Sequence, residues 1–211
     1  MRAVSNSAPV AVVAVAASAG GVEALSEFAA GLPANFMGTV LVVLHIPPAG
    51  PSVLPAILSR VSGLPARHPD DGDLLTAGLI LAAPPDRHLT VDEFAAHVLA
   101  GPRENGHRPA ADVLMRSVAE NFGQRAAGVV LSGTMDDGAA GLRAVRAAGG
   151  FTLVQDPEEA TFPGMPSAAM EEAEPHVVGA VGTLAAHICQ WISDLTTLPP
   201  DGGKPSCAAT R

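Results

Sequence analysis

Apolar residues along this chain gather into short unbroken runs, separated by segments in which they recur every three or four positions. Val10 to Ala17 is one such run, and Thr39 to Ile46, Ala126 to Leu131 and Phe151 to Gln155 are three more. Runs of strand length without polar alternation are what a strand buried on both faces requires. Between them the period changes. Val22, Leu25, Phe28, Ala29 and Leu32 recur at helix spacing, with Glu23 and Glu27 on the other side, until Gly31 and Pro33 end the pattern. Pro51 to Ser62, Asp112 to Phe122, Gly138 to Ala148, Pro166 to Glu174 and Thr183 to Leu195 read as further helices; Gly149-Gly150 after the third of these supplies a left-handed stop. The stretch Leu74 to Leu99 differs. Short apolar pieces at Leu79 to Ala82, His88 to Val91 and Ala96 to Leu99 are separated by turn residues such as Pro84-Pro85-Asp86, which predicts a small antiparallel excursion.

Strands alternating with helices imply parallel pairing through right-handed crossovers. The expected fold class is α/β: a doubly wound, mainly parallel sheet with helices on both faces and the small antiparallel excursion at one side. A length of 211 residues suits one domain with short tails. Residues 1–9 read as a loose leader and residues 10–195 as the domain. Residues 196–211, rich in Pro and Gly and carrying the only lysine, read as a disordered tail.

Composition narrows the function. With 48% hydrophobic and 16% charged residues the chain can bury a full core. Its formal net charge of −9 and the absence of any basic run argue against a nucleic-acid partner, which needs a cationic stripe to displace counterions. No apolar run approaches the ~20 residues that span a bilayer, so membrane insertion is not expected. Two cysteines, Cys189 within an expected helix and Cys207 in the tail, form neither a disulfide framework nor a zinc set, and a reducing, cytoplasmic location fits best. A competing reading of the N-terminus is a secretory signal, with Arg2, a Val/Ala stretch and Ala17-Ser18-Ala19 as the cleavage site. Against it, the stretch has no Leu or Phe and follows Ser5, Asn6 and Ser7. The two readings exclude each other, since cleavage there would remove Ser18.

Ligands of an open parallel sheet bind beyond the C-terminal ends of its strands. Ser18 follows the first expected strand, His45 ends the second, and Asp136 and Asp137 follow the third. A nucleophile, a base and an orienting carboxylate at one edge are the set that Ser-His-Asp chemistry needs, and such sets are defined by geometry rather than chain order. Ser18 sits among Ala17, Ala19, Gly20 and Gly21, small enough for a strand-to-helix elbow like that of G-x-S-x-G, with the next helix aiming its N-terminal amides at an oxyanion. Each residue also has a plain structural role: Ser18 and Asp137 as helix caps, His45 as a satisfied rim histidine. On spacing alone Asp136 competes with Asp137. His176, which would give the order Ser, Asp, His, precedes a Val-Val strand and so belongs to the opposite edge. His68, His88, His97 and His107 lie in turns or short strands and His187 in a helix, none with the spacing of a metal ligand set.

These residues fall within runs that resemble one family. Val15-Ala16-Ala17-Ser18-Ala19-Gly20-Gly21 is similar to I-G-A-S-T-G-G of the chemotaxis protein-glutamate methylesterases, and Leu44-His45-Ile46-Pro47-Pro48 to their Q-H-M-P-P. His107-Arg108-Pro109-Ala110-Ala111-Asp112-Val113-Leu114 resembles H-R-P-S-V-D-V-L. The run Leu131 to Gly141 resembles L-T-G-M-G-N-D-G-A-A-G, and Gly164-Met165-Pro166 matches G-M-P. The resemblance spans about residues 10–195 in order and spacing. It implies Ser18 as nucleophile, His45 as general base and Asp137, rather than Asp136, as the orienting carboxylate. It further implies hydrolysis of glutamate γ-methyl esters on the cytoplasmic helices of chemoreceptors, with deamidation of certain glutamines, and no metal or organic cofactor. Ala16, Ala19 and Thr134 depart from the pattern, and the last lies in a loop that in the family gives a backbone donor to the oxyanion. The family's N-terminal receiver domain has no counterpart in the sequence, so constitutive or partner-controlled activity is expected. A non-catalytic module of the same fold and a small-ester hydrolase are the alternatives.

Overall fold

The unbroken apolar runs become the middle of a parallel sheet, because a strand covered by helices on both faces has no position at which a polar side chain could meet water. A computed structural model of the chain describes residues 7–48 and 52–197. In chain order its elements are β1 (Val12–Ala17), α1 (Gly21–Ala30), β2 (Thr39–Leu44), α2 (Leu54–Ser62), β3 (Ala66–Arg67), β4 (Asp73–Leu74), β5 (Leu79–Ala82), β6 (His88–Val91), β7 (Ala95–Leu99), α3 (Ala111–Phe122), β8 (Ala126–Val130), α4 (Ala139–Ala147), β9 (Phe151–Gln155), α5 (Gly164–Ala173), β10 (Val177–Gly179) and α6 (Val181–Thr197). Seven strands pair in the order β10-β9-β8-β1-β2-β5-β3, every pair parallel. The expected α/β class is the one observed.

β1 is the central strand and is buried along its whole length. Its side chains alternate between two cores. Val13, Val15 and Ala17 join α1, α2 and α6 on one face; Val12, Ala14 and Ala16 join α3, α4 and α5 on the other. The chain leaves β1 for β2 and returns through β8 to β1's free side, so the strand order reverses between β1 and β8. That reversal opens a crevice at the C-terminal ends of these strands.

The excursion differs from expectation in its membership. Leu79–Ala82 is not antiparallel: it is β5, paired parallel with β2 from Thr39↔Leu79 to Val42↔Ala82. All four of its residues are buried, the signature shared with β1 and β2. The antiparallel sheet is instead β4-β7-β6, with β4 and the two-residue β3 too short to leave a periodic signal. α6 also runs past Leu195. Thr196 and Thr197, assigned to the tail, are helical, and their hydroxyls return to the Ser193 and Asp194 carbonyls. Residues 1–6 of the expected leader, Pro51 of the expected second helix, and residues 198–211 of the tail lie outside the described residues. Among the described residues no helix is long and apolar enough to cross a membrane.

The first turn of α1 must lie almost on the sheet for Ser18 to clear the strand. Gly21 permits it: a Cβ there would stand 2.7 Å from Ala17 Cβ and 2.7 Å from Leu44 Cδ1. Gly21→Ala is therefore expected to cost about 1–3 kcal/mol by overpacking, despite the better helix propensity of alanine. Urea denaturation checks this, and an unchanged midpoint would show that the contact yields.

Candidate active site

Ser18 leaves the end of β1 and turns at once into α1. Gly20, in the left-handed region at φ 68°, makes that turn, and a side chain there would meet the Ser132 hydroxyl at 2.9 Å. Ser132, from the end of β8, fastens the elbow. Its carbonyl accepts the Ser18 amide at 3.0 Å, its hydroxyl donates to the Ala19 carbonyl at 2.9 Å, and the Phe162 amide donates to that hydroxyl at 3.0 Å. Its own amide donates to Gln155 Oε1 at 2.8 Å. Gly133 follows, and lies so close that a Cβ on it would be 2.9 Å from Ser18 Cβ. Ser18 is half-buried at the crevice between β1 and β8.

His45 is the next residue of β2 after Leu44, which stands opposite Ala17 in the parallel register. The His45 amide donates to the Ala17 carbonyl at 3.2 Å, so the pairing persists to this point. Ser18 and His45 therefore emerge side by side from neighbouring strands, about 5 Å apart along the backbone. The imidazole Nε2 lies 2.7 Å from Asp137 Oδ2, with the histidine side chain 9% and the aspartate 1% exposed. An ionised carboxylate can only accept, so Nε2 carries the proton and Nδ1 keeps the free lone pair. Nδ1 is buried and has no hydrogen-bond partner among the described residues.

Asp137 lies just before α4 yet caps a different helix. Its two oxygens accept the Ala111 amide at 2.7 Å and the Asp112 amide at 3.0 Å, both at the start of α3. Asp112, in the first turn of α3, does the converse: its Oδ1 accepts the amides of Gly138 at 3.0 Å and Gly141 at 2.6 Å, at the start of α4. Asn105 Nδ2 donates to its other oxygen at 3.2 Å. Two helix N-termini, each with its partial positive charge, thus meet two carboxylates exchanged between them. Gly141 lets the helices approach, since a Cβ there would lie 2.7 Å from Met115 Cβ.

Burial raises both acids, but their net shifts are opposite. Burial pushes the Asp137 carboxyl up, but the hydrogen bond from His45 and those from the Ala111 and Asp112 amides outweigh it and hold the group below the usual carboxylate range. For Asp112 burial prevails over its two amide bonds, and the Asp137 charge nearby adds to it, so its carboxyl is pushed up. Asp136, the competitor on spacing, is exposed, and its carbonyl serves the turn into α4.

The other histidines lie apart from this pair, with one exception. His176 bonds Thr152 at the start of β9, at the far end of the sheet. His88 is buried with both ring nitrogens bonded, to the Pro102 carbonyl and the Ala110 amide. His97 bridges Asp71 and Asp92, and no group of three metal-ligating side chains occurs among the described residues. His107 is the exception: its ring lies flat on His45, with centroids 3.8 Å apart and planes 2° from parallel. Sequence reasoning gave no role to His107, Asp112 or Ser132. All three sit inside the quoted motifs, but a stack, an exchanged cap and a clamp are tertiary contacts without a local pattern.

A family model described as CheB methylesterase matches residues 13–188. The chain is 37% identical over 184 residues to a protein-glutamate methylesterase/protein-glutamine glutaminase of Koribacter versatilis, which covers 85% of this chain and 51% of that protein. A namesake from Treponema pallidum is 38% identical over 175 residues, 81% of this chain and 42% of its own. The chain thus spans about half the length of the curated relatives it matches. The crystal structure of the Thermotoga maritima CheB methylesterase catalytic domain aligns with a TM-score of 0.81 at 27% identity, over 87% of this chain and 97% of that one.

Replacing Asp112 separates its charge from its acceptor role. Asp112→Ala leaves the buried Gly138 and Gly141 amides without a partner and should cost about 2–4 kcal/mol, whereas Asp112→Asn keeps an acceptor and should stay within about 1 kcal/mol of wild type. The raised carboxyl makes ionisation of Asp112 a cost to folding that grows as pH rises above the ordinary carboxylate range. Denaturation series should therefore show Asp112→Asn gaining on wild type as pH rises from about 4, the gain levelling off above the raised value. Asp137 has the opposite sign. Its lowered carboxyl stabilises fully above the ordinary range and loses that contribution as pH falls through its lowered value, so the advantage of wild type over Asp137→Asn should shrink below about pH 4. Parallel pH dependences for the two variants would contradict the assigned environments.

Proposed function

We propose that this chain, which belongs to the CheB methylesterase family, is a serine hydrolase acting on glutamate γ-methyl esters, and on certain glutamine amides, of chemoreceptor cytoplasmic helices. Residues 10–195 form its catalytic unit, with Ser18 as nucleophile, His45 as general base and Asp137 as the carboxylate that orients it. The observation that carries this reading is the 2.7 Å bond from His45 Nε2 to Asp137, which leaves a buried Nδ1 without a partner among the described residues, on the residue in register with Ser18. The relatives, protein-glutamate methylesterases/protein-glutamine glutaminases, supply the glutamate-ester and glutamine-amide chemistry of the substrate.

In the first step Ser18 Oγ attacks the ester carbonyl while its proton passes to His45 Nδ1. The imidazolium that forms holds both protons and faces the Asp137 carboxylate, whose depressed basicity keeps it ionised rather than letting it take the proton. The negative charge on the carbonyl oxygen needs donors that are free to receive it. The Ser18 amide already donates to Ser132, so the Ala19 amide and the positive start of α1 are the groups available at the elbow. Collapse of the tetrahedral intermediate breaks the C–OCH₃ bond, and Nδ1 returns its proton to the leaving oxygen as methanol. Water then attacks the acyl-serine with the same base, releasing glutamate and restoring Ser18. With glutamine the leaving group is ammonia and the rest is unchanged.

Methanol release from methylated receptor fragments tests this directly. Ser18→Ala should lower turnover on the order of 10⁴ to 10⁶ and Asp137→Asn about 10³ to 10⁴, with both variants folded. A fluorophosphonate probe should label the Ser18 peptide of wild type. Equal methanol release from wild type and Ser18→Ala would sink the enzyme reading, and labelling with small-ester turnover but no methanol from receptor fragments would move the substrate to small esters.

A further inference from the structure

Among the described residues the proposed base is held by a single side-chain hydrogen bond. One bond fixes the distance from Nε2 to Asp137 but leaves the imidazole free to tilt and swing about it, and a swing would carry Nδ1 away from the serine hydroxyl. What opposes that motion is His107, whose ring covers one face of His45 with centroids 3.8 Å apart and planes within 2°. At that spacing the faces of the two rings are in van der Waals contact.

His107 is itself firmly mounted. Its amide donates to the Glu104 carbonyl at 2.8 Å and its carbonyl accepts the Glu104 amide at 3.1 Å, closing a small loop. Glu104 accepts Arg116 of α3 at 2.7 Å. On either side Arg103 and Arg108 both reach Asp86, at 3.0 and 2.8 Å, and Arg108 donates to the Gly101 carbonyl at 2.7 Å. Three ion pairs thus tie the loop to α3 and to the turn before β6, and the loop presents one flat ring to the base.

We propose that His107 is a positioning residue of the hydrolase: its stacked ring fixes the plane in which His45 Nδ1 meets the Ser18 hydroxyl. The inference rests on the function proposed above. A neutral ring is required, because a second imidazolium 3.8 Å from the one formed in the first step would oppose proton transfer. The surroundings supply it. Burial, His45 and Arg103 push the His107 ring down from its ordinary value, against the pull of Asp137 and Asp136.

Two substitutions separate stacking from mere space-filling. His107→Phe keeps a flat ring and His107→Ala removes it, with His107→Leu, which fills the volume without a plane, standing in should the alanine variant fail to fold. On methylated receptor fragments His107→Ala should lose about 10- to 100-fold in kcat with KM within about threefold of wild type, while His107→Phe stays within about threefold on both. A role confined to stability would lower the melting temperature and leave kcat of the folded fraction unmoved. Equal losses in the alanine and phenylalanine variants would overturn the proposal, as would a kcat of His107→Ala within about threefold of wild type. Should wild type release no more methanol than Ser18→Ala, the hydrolase reading fails and proton NMR decides the lock instead. The downfield N–H shared by His45 and Asp137 should then be visible in wild type and His107→Phe and lost to exchange in His107→Ala. Its survival in the alanine variant, or its absence from wild type, overturns the lock.

Discussion

Everything at the C-terminal edge of this sheet depends on two carboxylates that cap each other's helices. Asp137 and Asp112 are both nearly inaccessible to solvent, and a buried charge persists only where donors replace water. Here the donors are the amides at the starts of α3 and α4, groups that any helix leaves unpaired. The exchange joins the two helices at their N-termini and fixes Asp137 against β8 and β1. Without it the carboxylate would be one more flexible cap, and His45 would have nothing rigid to bond. The same contact sets the tautomer: an Asp137 kept ionised takes the Nε2 proton of His45 as a hydrogen bond, and Nδ1 is left as the basic atom.

That division of the ring follows from chain topology. His45 enters from β2, on the far side of β1 from β8, whereas Asp137 comes from the loop after β8. The ring must therefore reach across the end of β1 to meet the carboxylate. Ser18 stands at the end of β1 itself, the strand between the two that lead to His45 and Asp137. Ser132, just past β8, completes the arrangement by holding both the amide of Ser18 and the carbonyl of Ala19.

How much of this was legible beforehand divides along a physical line. The parallel core was legible, since four long apolar runs can only be covered strands, and the edge on which Ser18, His45 and Asp137 emerge follows from strand direction. β5 was misassigned because four apolar residues between turns carry no sign of which neighbour they pair with, and β3 and β4, with two residues each, carry no period at all. The choice between Asp136 and Asp137 was likewise beyond spacing, since it depends on which side chain turns inward. Burial and the bond to His45 distinguish them in three dimensions, and only the family resemblance distinguished them in one. His107 and Asp112 were visible as motif letters, but the ring that one stacks on lies 62 positions away and the helix amides that the other caps lie 26 and 29 away, where no local pattern reaches.

The departures from the family's motifs fit the same packing. Ala16 stands where the motif has glycine, on the face of β1 turned toward α3 and α4, fully buried. Its methyl faces Gly138, where a Cβ would lie 3.4 Å from Ala16 Cβ and 3.5 Å from Ala111 Cβ and Val130 Cγ2, ordinary contact distances, so the backbone rather than crowding calls for glycine there. Gly138, left-handed at φ 102°, is also the residue whose amide reaches Asp112. One position thus serves both the turn and the exchanged cap. Met135, where the motif has its second glycine, holds a left-handed φ of 67° with its side chain 64% exposed. A side chain in that conformation costs about 1–2 kcal/mol, and exposure returns little of it. The loop keeps the backbone that glycine would choose because both its ends are fixed, by Gly133 against Ser18 and Met165 and by Asp137 against α3. The shape of the crevice is therefore dictated by the carboxylate exchange and the elbow clamp, and the residue between them conforms.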